Sequence, residues 1–246
     1  PDLIYERGNY LQLSGCNAAK KMRIKHIIEI NAPYSEERGA MQGKSFFSSK
    51  SLRVKKKQME LTEKIVVVSS ALKKYFLEKQ IVDGEKIIVI PNAIKEGEIK
   101  TNEKEIEKIK IKYNLSGQIV IGFVGSIFSY HGVDTLIKSF RAVIEKVHNC
   151  KLLIVGDGEI LSSLIKLSEE LNLGDTVSFT GNIPASEVFN YIGLMDICVM
   201  PDSNWYGSPV KIFEYGFMGK PIIAPDYSPL RDVMVNGKDG ILIMPG

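Results

Sequence analysis

Short apolar runs that end in glycine, proline or a polar residue recur along the chain, separated by stretches whose apolar residues return every three to four positions. In the second half these runs are IVIGFVG (119–125), KLLIVG (151–156), TVSFT (176–180), DICVM (196–200) and PIIAP (221–225). Unbroken apolar runs of this length predict strands covered on both faces, as in a parallel sheet. Between the first two, Val133, Leu136, Ile137, Phe140, Val143, Ile144 and Val147 share one helical face. Ile160, Leu161, Leu164, Ile165, Leu167 and Leu171 predict a shorter helix of the same kind. Strands alternating with helices in this way predict right-handed βαβ units and a Rossmann-like α/β domain.

The first half repeats the alternation less cleanly, with DLIY (2–5), HIIEI (26–30), KIVVVS (64–69), KIIVIP (86–91) and a helix over 71–79. The segment KEGEIKTNEKEIEKIKIKYNLS is charged and poor in large apolar side chains, which predicts a partly helical linker. The expected organisation is therefore an incomplete α/β domain over 1–95, a linker over 96–117 and a second α/β domain over 118–246. The chain opens on PDLIY without an initiator Met and closes on GILIMPG directly after an apparent strand, so a fragment cut at both ends is expected.

A net charge of +3 is too weak to imply nucleic acid as a partner. Local basic clusters occur at Lys20, Lys21, Arg23 and Lys25 and at Lys50, Arg53, Lys55, Lys56 and Lys57. They suit a solvated face or, more pointedly, peripheral contact with an anionic membrane. Cys16, Cys150 and Cys198 have no metal-ligand spacing; Cys198 lies inside an apolar run and is expected to be buried and inert, which suits a reducing cytoplasm. No apolar run reaches the roughly 18 residues of a membrane span, and no signal peptide is visible.

The densest chemistry lies in SNWYGSPVKIFEYGFMGKPIIAPD, residues 203–226. Ser208-Pro209 reads as a helix start and Gly219-Lys220-Pro221 as a stop, predicting a helix over 209–218. Lys211 occupies the third position after Ser208, where a capping box would place Glu or Gln and where the helix dipole disfavours a cation. A bound phosphate resolves the conflict, because helix N–H groups, dipole and ammonium then converge on one anion. The alternative is a solvated Lys211 paired weakly with Glu214. Glu214, one turn on, suits the two hydroxyls of a ribose. Gly216 costs roughly 1 kcal/mol inside a helix, which a close backbone approach would explain. A glycine cluster (Gly122, Gly125, Gly132) follows the first strand of this half without forming GxGxxG, and Ser126 and His131 are its polar residues. A lone His at a loop end also suits a structural hydrogen bond, and GDGE (156–159) suits either a nucleobase or a plain turn.

Taken in order, GFVGSIFSYHGVDTLIKSF, LLIVGDGE, VSFTGNIP and MDICVMPDSNWYGSPVKIFEYGFMGKPIIAPD resemble the donor domain of GT4-type glycosyltransferases with the GT-B fold. PDLIYER, IIEINAPYSEER, KIVVVSSALKKYF and EKIIVIPNAI resemble the later part of the acceptor domain. The resemblance implies two Rossmann-like domains and metal-independent transfer, with retention, of a sugar from a UDP- or GDP-sugar to a glycan or lipid-linked acceptor in polysaccharide biosynthesis. Carried over, Gly125 offers backbone to the diphosphate, Glu214 binds ribose, and Gly156, Asp157, Asn182 and Ile183 line the base pocket. The loop of Tyr206, Gly207, Ser208, Pro209 and Val210 completes the donor site. Three positions depart from the pattern: Ser126 stands for the usual loop arginine, His131 for the loop lysine, and Tyr206 for the first Glu of the E-x7-E pair. Lys211 then supplies the missing positive charge, with Glu214 and His131 beside the reacting diphosphate. Asp202 is a candidate for hydroxyl recognition in place of Tyr206. Glu29, Asn31 and Arg7 are the acceptor-side candidates, with Glu36, Glu37 and Arg38 nearby in sequence. A nucleotide-sugar-binding module without turnover remains the main alternative. An epimerase would need a carboxylate or His constellation that the sequence lacks, and an NAD enzyme lacks its glycine fingerprint.

Overall fold

Each of the nine expected apolar runs forms a strand, with its ends displaced by at most two residues. The computed structural model describes residues 1–9, 11–34 and 48–245. They fall into two compact units, the first comprising 1–92, 205–208 and 228–233, the second 93–204, 209–227 and 234–246.

The first unit is a parallel sheet of β1 (Leu3–Arg7), β2 (Lys25–Ile30), β3 (Lys64–Val67) and β4 (Ile87–Val89), in that spatial order. Helices α1 (Ser14–Met22), α2 (Ser48–Leu61) and α3 (Ser70–Glu78) connect its strands. Ser69 caps α3 by accepting the Leu72 N–H, and its hydroxyl donates to the Tyr206 carbonyl at 2.6 Å. Ile28, Ile65, Val67, Leu72 and Phe76 form the core, and Tyr206 packs into it.

In the second unit the parallel order is β10-β9-β8-β5-β6-β7, built from β5 (Ile119–Val124), β6 (Cys150–Val155), β7 (Val177–Phe179), β8 (Ile197–Val199), β9 (Ile222–Pro225) and β10 (Ile241–Ile243). Its helices are α4 (Glu103–Lys112), α5 (Val133–Ile144), α6 (Leu161–Glu170), α7 (Val188–Leu194) and α8 (Val210–Phe217). Phe123, Ile127, Ile137, Phe140, Leu152 and Ile154 pack where α5 and α6 cover the sheet.

The segment expected as a linker is grouped with the second unit. Asn102 caps α4 by accepting the Lys104 N–H, its own N–H donates to Asn190 Oδ1 at 2.7 Å, and Ile109 is buried. A few apolar residues at helical spacing are enough to dock the helix against α7, which a charge-rich composition conceals. The basic clusters are largely solvated: Lys20, Lys21, Arg23, Lys25, Arg53, Lys56 and Lys57 are exposed. Lys55 differs, with its Nζ 5.2 Å from the Phe76 ring centre. Cys16, Cys150 and Cys198 are buried free thiols, and burial pushes the Cys198 thiol up to about 12.

One buried phenol ties α8 to the sheet. Tyr215 is fully buried and its hydroxyl accepts the Val124 N–H at 2.9 Å, at the end of β5. Tyr215→Phe would leave that N–H unpaired inside the protein. The expected loss is about 1–3 kcal/mol in urea unfolding; an unchanged midpoint would mean that water reaches the strand end.

Candidate donor-binding site

The second sheet reverses direction at β5: the chain continues to β6 and β7 on one side and returns to β8, β9 and β10 on the other. In an open parallel sheet that reversal leaves a crevice beyond the carboxyl ends of the strands. Gly125 closes β5 with φ +148°, and Gly156 closes β6 with φ +129°. Both values lie where side chains are strained. A Cβ on Gly156 would overlap the Gly125 carbonyl oxygen, so the two loops meet backbone to backbone. Gly125 N–H donates to Val155 O at 3.0 Å and Ile127 N–H to Asp157 O at 2.9 Å. Thr180 Oγ1 accepts the Gly156 N–H at 3.2 Å, which brings the end of β7 into the same layer.

Lys211 enters from the first turn of α8. Its Nζ is buried and has no hydrogen-bond partner; it sits 4.2 Å from the centre of the Phe123 ring. A Cβ on Gly125 would come within 2.9 Å of that nitrogen, so the glycine leaves room for the ammonium. Burial lowers the Lys211 pKa to about 8, and Glu214 partly opposes the shift. Burial raises the Glu214 carboxyl, which Lys211 in turn lowers. No ion pair within 4.0 Å joins them. The solvated surface pair allowed by the sequence is therefore excluded. An ammonium is held out of water, supported by a ring face and a distant carboxylate, and short of hydrogen-bond acceptors.

Several expectations are corrected. Ser208 does not cap the helix: the N-cap is Pro209, with no side-chain cap, and α8 begins at Val210. Ser208 Oγ instead accepts the Asn92 N–H at 3.0 Å, and Ser208 O accepts from Asn92 Nδ2 at 2.7 Å. Tyr206, Gly207 and Ser208 are grouped with the first unit, where Tyr206 is 8% exposed within the core. An aromatic ring that finds apolar neighbours is buried by them, whatever the motif position it occupies. Nothing lies within 4 Å of a Cβ added to Gly216, so no close backbone approach accounts for that glycine.

The remaining candidates are placed as follows. His131 Nδ1 lies 2.6 Å from the Ser126 carbonyl, and Ser126 itself is exposed. Asp157 turns back on its own loop, its Oδ1 accepting the Gly158 N–H at 2.7 Å. Asn182 is exposed and Ile183 half-buried just past the Gly156–Gly181 bridge. Asp202 Oδ1 accepts the Ser203 N–H at 2.7 Å and the Tyr227 hydroxyl at 2.9 Å, which commits that oxygen to loop structure. In the first unit, Arg7 and Glu29 are register partners at the strand ends, and Glu29 Oε2 accepts the Tyr5 hydroxyl at 2.6 Å. Burial and Glu29 together push the Tyr5 phenol up to about 12. Asn31 Oδ1 is buried without a partner. Glu36, Glu37 and Arg38 lie outside the described residues.

Phe123, Thr180 and Tyr227 were not anticipated. Phe123 sits in an apolar run where every residue reads as core, so the pattern carried no signal for a ring that also faces an ammonium. Among the described residues, no three His, Cys, Asp or Glu side chains converge in a metal-binding group, and no helix is long and apolar enough to cross a membrane.

Comparison with known proteins agrees with this fold. Residues 105–246, more than half of the chain, match the family described as Glycosyl transferases group 1. An uncharacterized glycosyltransferase of Methanocaldococcus jannaschii is 27% identical over 228 residues, covering 91% of this chain and 56% of the relative. The alpha-D-kanosaminyltransferase of Streptomyces kanamyceticus is 26% identical over 138 residues, covering 56% of this chain and 36% of its own length. Among solved structures, Anabaena HepE in complex with UDP and glucose superposes with a TM-score of 0.79 at 21% identity, covering all of this chain and 65% of HepE. The last likeness is one of fold, α/β with two parallel sheets flanked by helices. The chain belongs to the group 1 glycosyltransferases of the GT-B fold. It spans about half the length of the M. jannaschii relative and about two thirds of HepE.

Proposed function

We propose that the protein transfers a sugar from a nucleotide diphosphate sugar, UDP- or GDP-linked, to a glycan or lipid-linked acceptor, with retention of configuration and without a metal. The observation that carries this reading is the buried Lys211 Nζ without a hydrogen-bond partner, at the uncapped start of α8 and beside the Gly125 loop. An ammonium desolvated without a counter-ion is costly unless an anion completes it. Helix dipole, loop backbone and ammonium together favour a diphosphate. The same groups act where charge develops as the diphosphate departs, which lowers the barrier to transfer. Glu214 is the group proposed for the ribose, and Arg7, Glu29 and Asn31 for the acceptor. The exposed cations of α1 and α2 suit peripheral contact with an anionic membrane.

A second reading, a module that binds donor without turnover, is favoured by one observation: the position eight residues before Glu214 holds the core residue Tyr206, which brings no carboxylate to the site. Calorimetric titration with UDP and GDP tests the binding common to both readings. Binding of one nucleotide is the expected result, and binding of neither removes both. Release or transfer of labelled sugar from the matching donor then separates an enzyme from a module.

A further inference from the structure

His131 stands on the Gly125 loop with its tautomer settled by geometry. The Ser126 carbonyl only accepts hydrogen bonds, so Nδ1, at 2.6 Å, carries a hydrogen. In the neutral ring Nε2 is then the bare nitrogen, and any second proton must arrive there. The imidazole lies 4.4 Å from the Tyr130 ring and 5.9 Å from the Phe123 ring, centre to centre, and Phe123 in turn carries Lys211 Nζ at 4.2 Å. A continuous line of rings thus joins the histidine to the buried ammonium.

The charged groups around His131 pull in opposite directions. Burial of the ring and, from α8, Lys211 disfavour a second positive charge; the Ser126 carbonyl and, from the loop after β8, Asp202 favour it. Glu214, also on α8, faces Lys211. The unfavourable influences prevail, holding the His131 pKa down to about 4, so the imidazole is uncharged near neutrality. A diphosphate seated against Lys211 would offset the repulsion that Lys211 exerts on a second imidazole proton.

We propose that His131 is a cation switched on by its ligand: neutral in the free protein, it takes a proton from solvent at Nε2 when the diphosphate of a nucleotide sugar binds against Lys211. This inference rests on the donor-site reading above. It explains how a loop with Ser126 and a neutral imidazole can still meet a diphosphate with two positive charges. Because the ligand-bound state holds more protons, affinity must strengthen as pH falls. The gain is about tenfold per pH unit for one proton, between the imidazole's bound-state pKa and about 4, where the free protein also becomes protonated.

The chain has three histidines, so their ring nitrogens are separable by NMR of 15N-histidine-labelled protein, with His131→Gln identifying the relevant signals. UDP-glucose and GDP-mannose are suitable probes because their phosphates stay ionised through the mildly acidic to neutral range. At pH 6.5 the free protein is expected to show His131 as the neutral Nδ1–H tautomer. Saturation with the bound probe is expected to convert it to imidazolium. Titration calorimetry in buffers of differing ionisation heat should report uptake of about half to one proton, abolished in His131→Gln. Binding with His131 still neutral overturns the proposal, as does uptake that survives His131→Gln. Failure of the wild-type protein to bind either probe or their free nucleotides overturns the donor-site reading and this inference with it.

Discussion

Lys211→Met is expected to stabilise the protein and at the same time to weaken nucleotide binding severely. The ammonium is buried, and its pKa falls from 10.5 to about 8. At about 1.4 kcal/mol per tenfold change in proton affinity, keeping it charged costs on the order of 3 kcal/mol. Methionine has a similar unbranched shape and rests its thioether well against a ring such as Phe123. Removing the ammonium also deprives Glu214 of its counter-charge, so the net gain at pH 7 is expected to be about 1–2 kcal/mol. The sign of the pH dependence follows from the depressed pKa. The folded state binds fewer protons than the unfolded state between about 8 and 10.5, so the destabilisation is fully present below about 8 and fades as pH rises through that window. The wild type should therefore close the gap on the variant above pH 8. Nucleotide affinity should fall by the equivalent of about 2–5 kcal/mol, the usual effect of removing one partner of a buried charge pair. Urea unfolding at pH 7 and pH 9.5, with calorimetric titration at pH 7, checks all three results. A destabilised Lys211→Met protein would show that the ammonium already serves the fold, and retained nucleotide affinity would remove it from the site.

Gly156→Ala should be as damaging as any single methyl in this chain. The added Cβ would overlap the Gly125 carbonyl oxygen, and the φ of +129° is strained for any side chain. Backbone strain and overlap together are expected to cost about 3–5 kcal/mol and to break the contact between the two loops. Gly216→Ala makes the informative contrast. That position lies inside α8 with nothing within 4 Å of the added carbon, so alanine should stabilise by about 0.5–1 kcal/mol through helix propensity. Denaturation of the two variants side by side tests both. Equal effects would show that the loops can part without penalty.

The strands and most helices were legible because their signal is local. A buried parallel strand is an unbroken apolar run, and a covered helix repeats its apolar residues every three to four positions, so the sheets could be placed without knowing their partners. The charge-rich stretch before residue 118 was harder, since its docking depends on Asn102, Ile109 and Asn190, which no periodicity links. Ser208 misled for a related reason: its context pointed to a helix cap, yet Asn92 takes its hydroxyl, and no local pattern marked Tyr206 for the first unit's core.

By itself the sequence determined the two α/β units, the helix after β8, and the anomaly of a lysine in that helix's first turn. The sign of that anomaly was open, because a lysine at a helix start can equally be solvated. Only the tertiary structure decided it, by burying Nζ against Phe123, setting Gly125 beside it and leaving it without a hydrogen-bond partner. The groups that bear on the protonation of His131 come together in the same way. Local pattern reports which residues leave water, but the energy of a charge depends on every group that surrounds it, and those groups come together only in the fold.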